Sequence, residues 1–291
     1  MSITPVRSPV PNEIIRMLEH KSILLRKLII KMIYTAKAGH IGGSLSCVDI
    51  LNVLYNATMD ITPQNFTQVD RDHFVHSKGH SVEALYAVLA DKGFFPIERL
   101  DSIEKYGSDF IGHPSRKVYG IEQNTGALGH GLSVAVGMAL AVKKDGRRNR
   151  VFTVLGDGEL TEGSLWEASA SAAHYHLDNL VAIIDRNTLQ ISGRTENVMA
   201  MEPLEEKFAA FGYAVRHVDG HNAGEMAALL AGLPFETGKP NLVLAHTIKG
   251  KGVSFMEDNV GWHHRALTDA EYHAGMLELD QAEMALGGIY D

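Results

Sequence analysis

Hydrophobic residues recur every three to four positions between Asn12 and Ala36, with charged residues between them. This spacing matches the 3.6 residues of a helical turn and places the hydrophobic side chains on one face. The segment is therefore predicted to form one long amphipathic helix. Its basic side chains are expected on the solvent-exposed face, namely Arg16, Lys21, Arg26, Lys27 and Lys31.

Short strand-like runs alternate with helical patterns along the rest of the chain. Strands are predicted at 73–76, 151–155, 180–184, 213–218 and 241–246, and helices at 80–92, 131–144, 164–176 and 222–233. This alternation predicts an α/β fold with a doubly wound, mostly parallel sheet flanked by helices. Capping boxes or near relatives predict two of the helix starts, at Ser164 to Glu167 and at Asn222 to Glu225.

The composition is that of an ordinary globular protein. The 291 residues are 45% hydrophobic and 21% charged, which favours one domain over 1–291, with 254–291 as a C-terminal arm. The net charge of −8 argues against nucleic acid as the main partner, and no apolar run reaches the ~20 residues of a membrane span. The single cysteine, Cys47, is expected to be a packed small residue and favours a reducing, cytoplasmic location.

Histidine is frequent in this chain, with 15 residues, and several of them follow glycine at uneven intervals. The uneven intervals exclude a structural repeat, so these Gly-His pairs are expected in separate loops. Glycine permits a ligand to approach the backbone closely, and histidine exchanges protons near neutral pH. The pattern indicates binding or proton transfer at several loops.

Polar residues follow two neighbouring predicted strands at the point where each strand ends. Asp157 lies between Gly156 and Gly158 after one strand, and Asn187 follows the next strand. In a right-handed βαβ unit both strand ends lie at the same edge of the sheet, so these two side chains are expected to converge. Carboxylate and amide oxygens are suitable ligands for Mg²⁺ or Ca²⁺.

The glycines around Asp157 do not form a dinucleotide-binding loop. The pattern G-x-G-x-x-G fails at its last position, where Thr161 stands, and it places an acid where a bare pyrophosphate would lie. An acid beside a diphosphate requires a cation between the two, so the sequence favours a metal-bridged diphosphate at a helix N-terminus. No P-loop motif occurs, which argues against nucleotide hydrolysis.

The segment GDGELTEGSLWEASASAAHYHLDNLVAIIDRN at 156–187 resembles the thiamine diphosphate motif of the transketolase family. Similar stretches follow in the family's order: KAGHIGGS at 37–44, DRDHFVHSKGHSVEALY at 70–86, IGHP at 111–114, NTGALGHGLSVAVGMALA at 124–141 and TIKGKGVSFMEDNVGWHH at 247–264. The resemblance covers roughly residues 15–270 and implies the thiamine diphosphate-binding (PP-type) fold with thiamine diphosphate and Mg²⁺ as cofactors. It also implies transfer of a two-carbon ketol unit from a ketose, or its phosphate, to an aldose or its phosphate.

The resemblance also implies roles for individual residues. The Mg²⁺ ligands would be Asp157, Asn187 and the carbonyl of Leu189. The cofactor contacts would be His80, Gly126, Leu128, Asp157, Gly158, Asn187 and His263. Proton transfer and hydroxyl recognition would fall to His40, His113 and His263. Glu162 and Glu167 correspond to acids near the contact between subunits, and His174, His176, His221 and His264 are expected to be structural or surface residues.

A full transketolase continues into a pyrimidine-binding domain and a C-terminal domain, which this resemblance does not cover. It therefore implies the N-terminal subunit of a split enzyme that is inactive alone and requires a C-terminal partner subunit, in a 2+2 hetero-oligomer. The family's phosphate-binding arginines belong to the missing half, so the sugar substrate is not specified.

Three positions depart from the family pattern, and three alternative functions stay open. IGGS follows His40 in place of a proline-containing turn, His130 replaces a glutamine, and His264 replaces a glycine, which is expected to narrow the space above the cofactor. The alternatives are an α-type subunit of a 2-oxo-acid dehydrogenase, a ketol transferase acting on an unusual substrate, and a non-catalytic thiamine diphosphate-binding paralogue. A zinc site of His73, His76 and His80 is disfavoured, because a strand points the first two to opposite faces.

Overall fold

The structure, a computed structural model, describes residues 10–287. The strands are β1 (His73–His76), β2 (Val151–Gly156), β3 (Leu180–Arg186), β4 (Leu189–Gln190), β5 (Gly193–Arg194), β6 (Ala214–Asp219) and β7 (Asn241–His246). The helices are α1 (Asn12–Ala36), α2 (Ile41–Val53), α3 (Val82–Asp91), α4 (His130–Lys144), α5 (Gly163–His174), α6 (Thr195–Val198), α7 (Leu204–Phe211), α8 (Ala223–Leu230) and α9 (Asp269–Ala285).

Five of the strands form a parallel sheet in the order β1-β2-β3-β7-β6. The order reverses between β3 and β7, because β6 lies at the far edge and β7 returns to pair with β3. Ligands of such sheets bind at the carboxyl ends of the strands beside this reversal. The remaining pair, β4 and β5, forms a short antiparallel hairpin directly after β3.

Helices cover both faces of the sheet, so every residue of β2 and β3 is buried. Val181 and Ile183 of β3 pack into the core beneath α1, α2, α3 and α8, whereas Ala182 and Ile184 pack into the core beneath α4, α5 and α7. Strands buried on both faces have continuous hydrophobic sequences, as in these two. The predicted doubly wound α/β fold is confirmed.

All five strands of the main sheet occur where the sequence predicts them, as do the helices α1, α3, α4, α5 and α8. The helix start predicted at Asn222 is correct, because the Asn222 side chain accepts a hydrogen bond from the Glu225 amide. At Ser164 the helix start is predicted to within one residue, because α5 begins at Gly163, but the capping box is wrong. The Ser164 hydroxyl donates to the Gly129 carbonyl instead of capping its own helix.

Helix α2 has no counterpart among the predicted elements. Every one of its residues is buried, and hydrophobic residues lie on all its faces, so its sequence has no amphipathic period. Cys47 lies in this helix, and burial raises the pKa of its thiol to about 11, which agrees with the expected packing role. Arg26 of α1, expected on the surface, is only 5% exposed, and that expectation is wrong.

The segment predicted as a C-terminal arm contains α9, which packs along α1. Leu279 is buried in the core, and Lys27 forms ion pairs with Asp280 and Glu283. Residues 288–291 of the predicted arm lie outside the described residues, and the division into one domain with an arm stays a prediction. Within 10–287, no helix has the length and apolar character needed to cross a bilayer.

Shortening a buried side chain of the central strand β3 should destabilise the protein. Ile183→Ala removes a fully buried side chain from the core, and we expect a loss of about 2–5 kcal/mol in the free energy of unfolding. Denaturant titration followed by circular dichroism measures this loss. The control is Ile97→Ala, at a side chain that is 44% exposed, where the change should stay within about 0.5 kcal/mol. Equal losses in the two variants would contradict the assignment of β3 to the core.

Candidate thiamine diphosphate and metal site

The pairing of the strands brings the two predicted strand-end residues to one edge of the sheet. Gly156 of β2 pairs with Asp185 of β3, so Asp157 follows one strand and Asn187 follows the other just beyond this pair. The Arg186 guanidinium donates to the Asp157 carboxylate at 3.0 Å, which ties the two strand ends together directly. Asp157 and Asn187 both line the same cavity, as their spacing predicts.

This cavity has a volume of about 380 Å³ and lies at the carboxyl ends of β2 and β3. Such a volume is typical of small-molecule sites. The predicted site residues that line it are His40, His80, Gly126, Leu128, Asp157, Gly158, Asn187, Leu189 and His263. The exception is His113, which is exposed beside the cavity with its ring centre 6.4 Å from that of His40. Whether each residue binds or catalyses stays a prediction.

The three predicted metal ligands offer oxygen atoms of three kinds: a carboxylate, a side-chain amide and a backbone carbonyl. The Asn187 amide nitrogen donates to the Asp185 carboxylate at 3.2 Å, which commits the nitrogen. The amide oxygen accepts from the Leu189 amide at 3.1 Å and keeps a second lone pair for a cation. Burial and the neighbouring Asp185 charge raise the pKa of Asp157, which is 3% exposed, so a cation there would stabilise its charged form. This donor set suits Mg²⁺.

Asp185 is the hub of a buried hydrogen-bond network beneath the cavity. Its carboxylate is fully buried and forms an ion pair with Lys78, which is 1% exposed. The same carboxylate accepts from Ser46 of α2 at 2.6 Å and from the Thr247 hydroxyl, which follows β7. Burial opposes ionisation, but the Lys78 charge outweighs it and lowers the pKa of Asp185. The network fixes the orientation of Asn187.

Two lysines supply positive charge at the cavity. Lys78 also donates to the Gly43 carbonyl at 3.0 Å, and Lys249, which is 2% exposed, donates to the Leu189 carbonyl at 3.3 Å. Burial and the nearby Lys78 charge lower the pKa of Lys249 to about 8. An anionic group bound between these two ammonium groups would relieve their repulsion.

Histidines from separate parts of the chain meet at one side of the cavity. The ring centre of His40 lies 5.2 Å from that of His80 and 5.5 Å from that of His263. Burial is the main cause that lowers the pKa of His40 to about 4 and of His263 to about 3, so both rings are neutral at pH 7. Burial also lowers the pKa of His80 well below its usual value. A neutral imidazole has one hydrogen-bond donor and one acceptor, and the acceptor nitrogen can take up a proton.

Hydrogen bonding selects one tautomer of His263. The Lys249 ammonium lies 2.8 Å from His263 Nδ1 and can only donate, so Nδ1 accepts and the ring proton is on Nε2. The ring of His264, at the position that departs from the family pattern, lies 4.4 Å from that of His40. His264, expected to be a structural or surface residue, is an exposed neighbour of the site.

Two glycines allow the backbone to pass close to the cavity. Gly126 has φ +142°, a conformation that favours glycine, and a Cβ there would lie 2.7 Å from the His113 ring. A Cβ at Gly79 would lie 2.7 Å from the Gly126 nitrogen. These contacts explain why glycine occupies both loops. The amide of Gly158, one of the predicted cofactor contacts, donates to its neighbour Asp157 at 2.8 Å in this structure.

The buried carboxyl of Glu83 holds the His40 loop. It accepts from the His40 amide at 3.1 Å and from the Ser44 hydroxyl at 2.8 Å. Because Glu83 is 2% exposed, burial raises its pKa from the ordinary 4.5 to about 7. The group therefore changes charge near neutral pH while it contacts the backbone that carries His40.

Sequence reasoning missed several residues of the site. Lys78, Asp185 and Glu83 have no predicted role, although Lys78 is adjacent to the Gly-His pair at 79–80 and Asp185 follows a predicted buried strand. For Asp185 and Glu83, the signal that could have identified them is a charged residue in or directly after a hydrophobic run. For Lys78, the signal is its position next to the Gly-His pair. The histidines of the disfavoured zinc site have other partners: His73 bonds to Glu122 and His76 to Ser81. Within residues 10–287, no three or more His, Cys, Asp or Glu side chains are grouped in a way that could hold a metal ion.

Comparisons with known proteins agree with this geometry. The family model described as "Transketolase, thiamine diphosphate binding domain" matches residues 19–280. A protein from Phocaeicola vulgatus, named as one subunit of an apulose-4-phosphate transketolase, is 47% identical over 264 residues, 91% of this chain and 94% of that protein. A 6-deoxy-6-sulfo-D-fructose transketolase subunit from a Clostridium species is 44% identical over 265 residues, 91% of this chain and 96% of that protein.

A solved transketolase from Campylobacter jejuni superposes with a TM-score of 0.85 and 28% sequence identity. The match covers 94% of this chain but 46% of that one, so the chain spans about half the length of this solved relative. These matches favour transketolase over the 2-oxo-acid dehydrogenase alternative.

The stability of the protein should depend on pH through Glu83. The folded state keeps the Glu83 proton up to about pH 7, whereas an ordinary carboxyl releases it near 4.5, so the contribution of Glu83 to stability falls as pH rises through this window. Glu83→Gln keeps an acceptor for the His40 amide without the titration. Urea titrations measure the free energy of unfolding of both proteins. The difference between the variant and the wild type should shift by roughly 3 kcal/mol in favour of the variant between pH 4.5 and pH 7.

The matched control is Glu98→Gln, at an exposed side chain, where the free energy of unfolding should change by no more than about 0.5 kcal/mol. A constant difference between Glu83→Gln and the wild type across this pH range would show that Glu83 does not titrate there.

Proposed function

The chain belongs to the transketolase family as its thiamine diphosphate-binding domain, and from that premise we propose that it is the diphosphate-binding subunit of a two-subunit, Mg²⁺-dependent transketolase. The proposed reaction moves a two-carbon ketol unit from a ketose, or its phosphate, to an aldose or its phosphate. The observation that supports it best is the cavity at the strand ends, where oxygen donors, lysines and neutral histidines meet.

The residues present fit the cofactor and its metal. Thiamine diphosphate, when bound, supplies the carbanion chemistry. The oxygens of Asp157, Asn187 and Leu189 would hold Mg²⁺, and Lys78 and Lys249 lie in the same cavity to balance the diphosphate charge. The pKa of Lys249, lowered by burial, is consistent with a cation placed to receive an anion.

The histidines are proposed to transfer protons and to form hydrogen bonds with sugar hydroxyls. His263 has its proton on Nε2, since Lys249 donates to Nδ1, so it presents one donor to a substrate oxygen. A proton that leaves Nε2 would be replaced at Nδ1 from the Lys249 ammonium, whose pKa is lowered to about 8. His40 is neutral and can accept a proton or a hydrogen bond from a hydroxyl group. His113, exposed beside the cavity, is proposed to contact substrate.

The partner is proposed to be a second subunit that carries the pyrimidine-binding and C-terminal domains. Two relatives of similar length are named as transketolase subunits, and this chain spans 46% of a solved transketolase. We propose a 2+2 assembly in the cytoplasm, with the exposed carboxylates of Glu162 and Glu167 near the contact between subunits. A buried, unreactive Cys47 is compatible with a reducing compartment.

The sugar substrate is proposed to lie outside the usual pentose phosphates. Two relatives are named for apulose-4-phosphate and for 6-deoxy-6-sulfo-D-fructose. His264, 4.4 Å from His40, adds a ring where the family resemblance leads us to expect glycine. Both observations favour a ketose whose shape differs from that of a standard pentose phosphate.

Activity should require both subunits. This chain is mixed with its candidate partner, thiamine diphosphate and Mg²⁺, and ketol transfer is measured with a ketose panel that includes apulose-4-phosphate and 6-deoxy-6-sulfo-D-fructose. We expect transfer in the mixture and none with either chain alone. Full activity of this chain alone would disprove the split arrangement. Cofactor binding without transfer on any substrate would favour the non-catalytic paralogue.

Proton transfer and cofactor binding should separate in a pair of variants. His263→Ala should lower kcat roughly 100-fold while the Kd for thiamine diphosphate changes little, because general acid–base groups contribute rate enhancements of about that size. Asp157→Ala should instead abolish Mg²⁺-dependent binding of thiamine diphosphate, measured by calorimetry. Unchanged kcat in His263→Ala would remove this residue from the reaction.

A further inference from the structure

A second buried ionic cluster lies outside the cavity and has no role in the function proposed above. It consists of Arg26 on α1, Asp49 on α2 and His221, which precedes α8. Arg26 and Asp49 are each 5% exposed, and the His221 side chain is 12% exposed. Burying such groups is costly unless each is paired, so the cluster needs a structural or functional explanation.

Asp49 is the shared acceptor of the cluster. The Arg26 guanidinium forms a bidentate pair with its carboxylate, at 2.9 and 2.6 Å, and His221 Nδ1 lies 2.6 Å from the same carboxylate. Burial opposes ionisation of Asp49, but the Arg26 charge and the His221 hydrogen bond outweigh it and lower the pKa of Asp49 below its usual range. The carboxylate is thus charged and fixes the position of both partners.

Both partners of Asp49 use their remaining atoms to hold one segment of backbone. His221 Nε2 accepts from the Ile248 amide at 2.8 Å, so the ring proton is on Nδ1 and is donated to Asp49. Arg26 Nε donates to the Lys251 carbonyl at 2.8 Å. The two contacts bracket residues 248–251, one at each end.

The bracketed segment carries Lys249 into the cavity. Between the two contacts, the Gly250 amide donates to the Gly42 carbonyl of α2 at 3.0 Å. Lys249 then reaches the Leu189 carbonyl and His263 Nδ1, which are the contacts that define one edge of the site. These three hydrogen bonds to the backbone of the segment therefore determine where the Lys249 ammonium lies.

We infer that Arg26, Asp49 and His221 form a positioning clamp that sets the place of segment 248–251 and, through Lys249, the affinity of the cavity for a diphosphate. The clamp acts through the backbone, and none of its members lines the cavity. The statement about affinity rests on the proposed function, whereas the statement about the segment does not.

Two amide substitutions separate the two hydrogen bonds of His221. His221→Asn keeps a donor near the Nδ1 position for Asp49 but has no atom that reaches the Ile248 amide. His221→Gln extends one carbon further and offers a carbonyl oxygen to that amide. A purely structural role would be satisfied by keeping Asp49 paired, whereas a positioning role requires the bond to Ile248.

The experiment uses the full chain and measures hydrogen–deuterium exchange, melting temperature and calorimetric binding of thiamine diphosphate with Mg²⁺. We expect His221→Asn to increase amide exchange in 248–251 and to raise the Kd roughly tenfold, the equivalent of one lost hydrogen bond, at nearly unchanged melting temperature. His221→Gln should restore both values towards those of the wild type. The control is His174→Asn, at an exposed histidine of α5, which should change neither.

The possible failures are distinguishable. Unchanged exchange of 248–251 in His221→Asn would overturn the clamp, and faster exchange with an unchanged Kd would overturn its link to the cavity. If the Kd rises only in proportion to a loss of melting temperature in both His221 variants, the role of His221 is purely structural, and this outcome would also overturn the clamp. If the wild type itself binds no thiamine diphosphate, the proposed function fails, and the exchange data alone decide whether the clamp exists.

Discussion

The architecture around the cavity depends on the buried ion pair between Lys78 and Asp185. Removing both charges from water is unfavourable, and their attraction offsets this cost only when the remaining hydrogen-bonding groups are satisfied as well. Here they are satisfied by Ser46, Thr247 and Asn187, which come from α2, from the segment after β7 and from the end of β3. One carboxylate thus joins four parts of the chain. Loss of either partner alone would leave a buried, unpaired charge directly beneath the predicted metal ligands.

The protein is acidic as a whole, but buried cations lie at its cavity. The chain has a net charge of −8, yet the buried cations Lys78 and Lys249 lie at the cavity, and the neighbouring histidines His40 and His263 are neutral at pH 7. Because these rings carry no charge, attraction for the proposed diphosphate would come from the lysines. The neutral histidines would remain free for the proposed hydrogen bonds and proton transfers with a sugar. Under the proposed function, attraction and proton transfer therefore fall to different residues within one cavity.

The sequence predicts the sheet well because its central strands are buried on both faces and have continuous hydrophobic runs. The convergence of Asp157 and Asn187 follows from the same reasoning, since strand order and handedness restrict where strand ends can lie. By contrast, α2 has no amphipathic period because it is buried all round, and so it could not be recognised by periodicity. The positions of Lys78, Glu83 and Arg26 depend on tertiary contacts with distant segments. The histidine site is predictable only through family resemblance, because local pattern does not bring separate loops together.

The histidine cluster has a consequence for the order in which this protein folds. His40 and His263 are separated by most of the sequence, and their rings are 5.5 Å apart in the folded chain. Contacts between such distant residues carry a large loop-closure entropy and form only after the intervening sheet exists. During synthesis, the His40 loop emerges from the ribosome long before its partner. The site is therefore expected to be among the last parts of the molecule to become ordered. A chain in which the site is ordered should already have folded elsewhere.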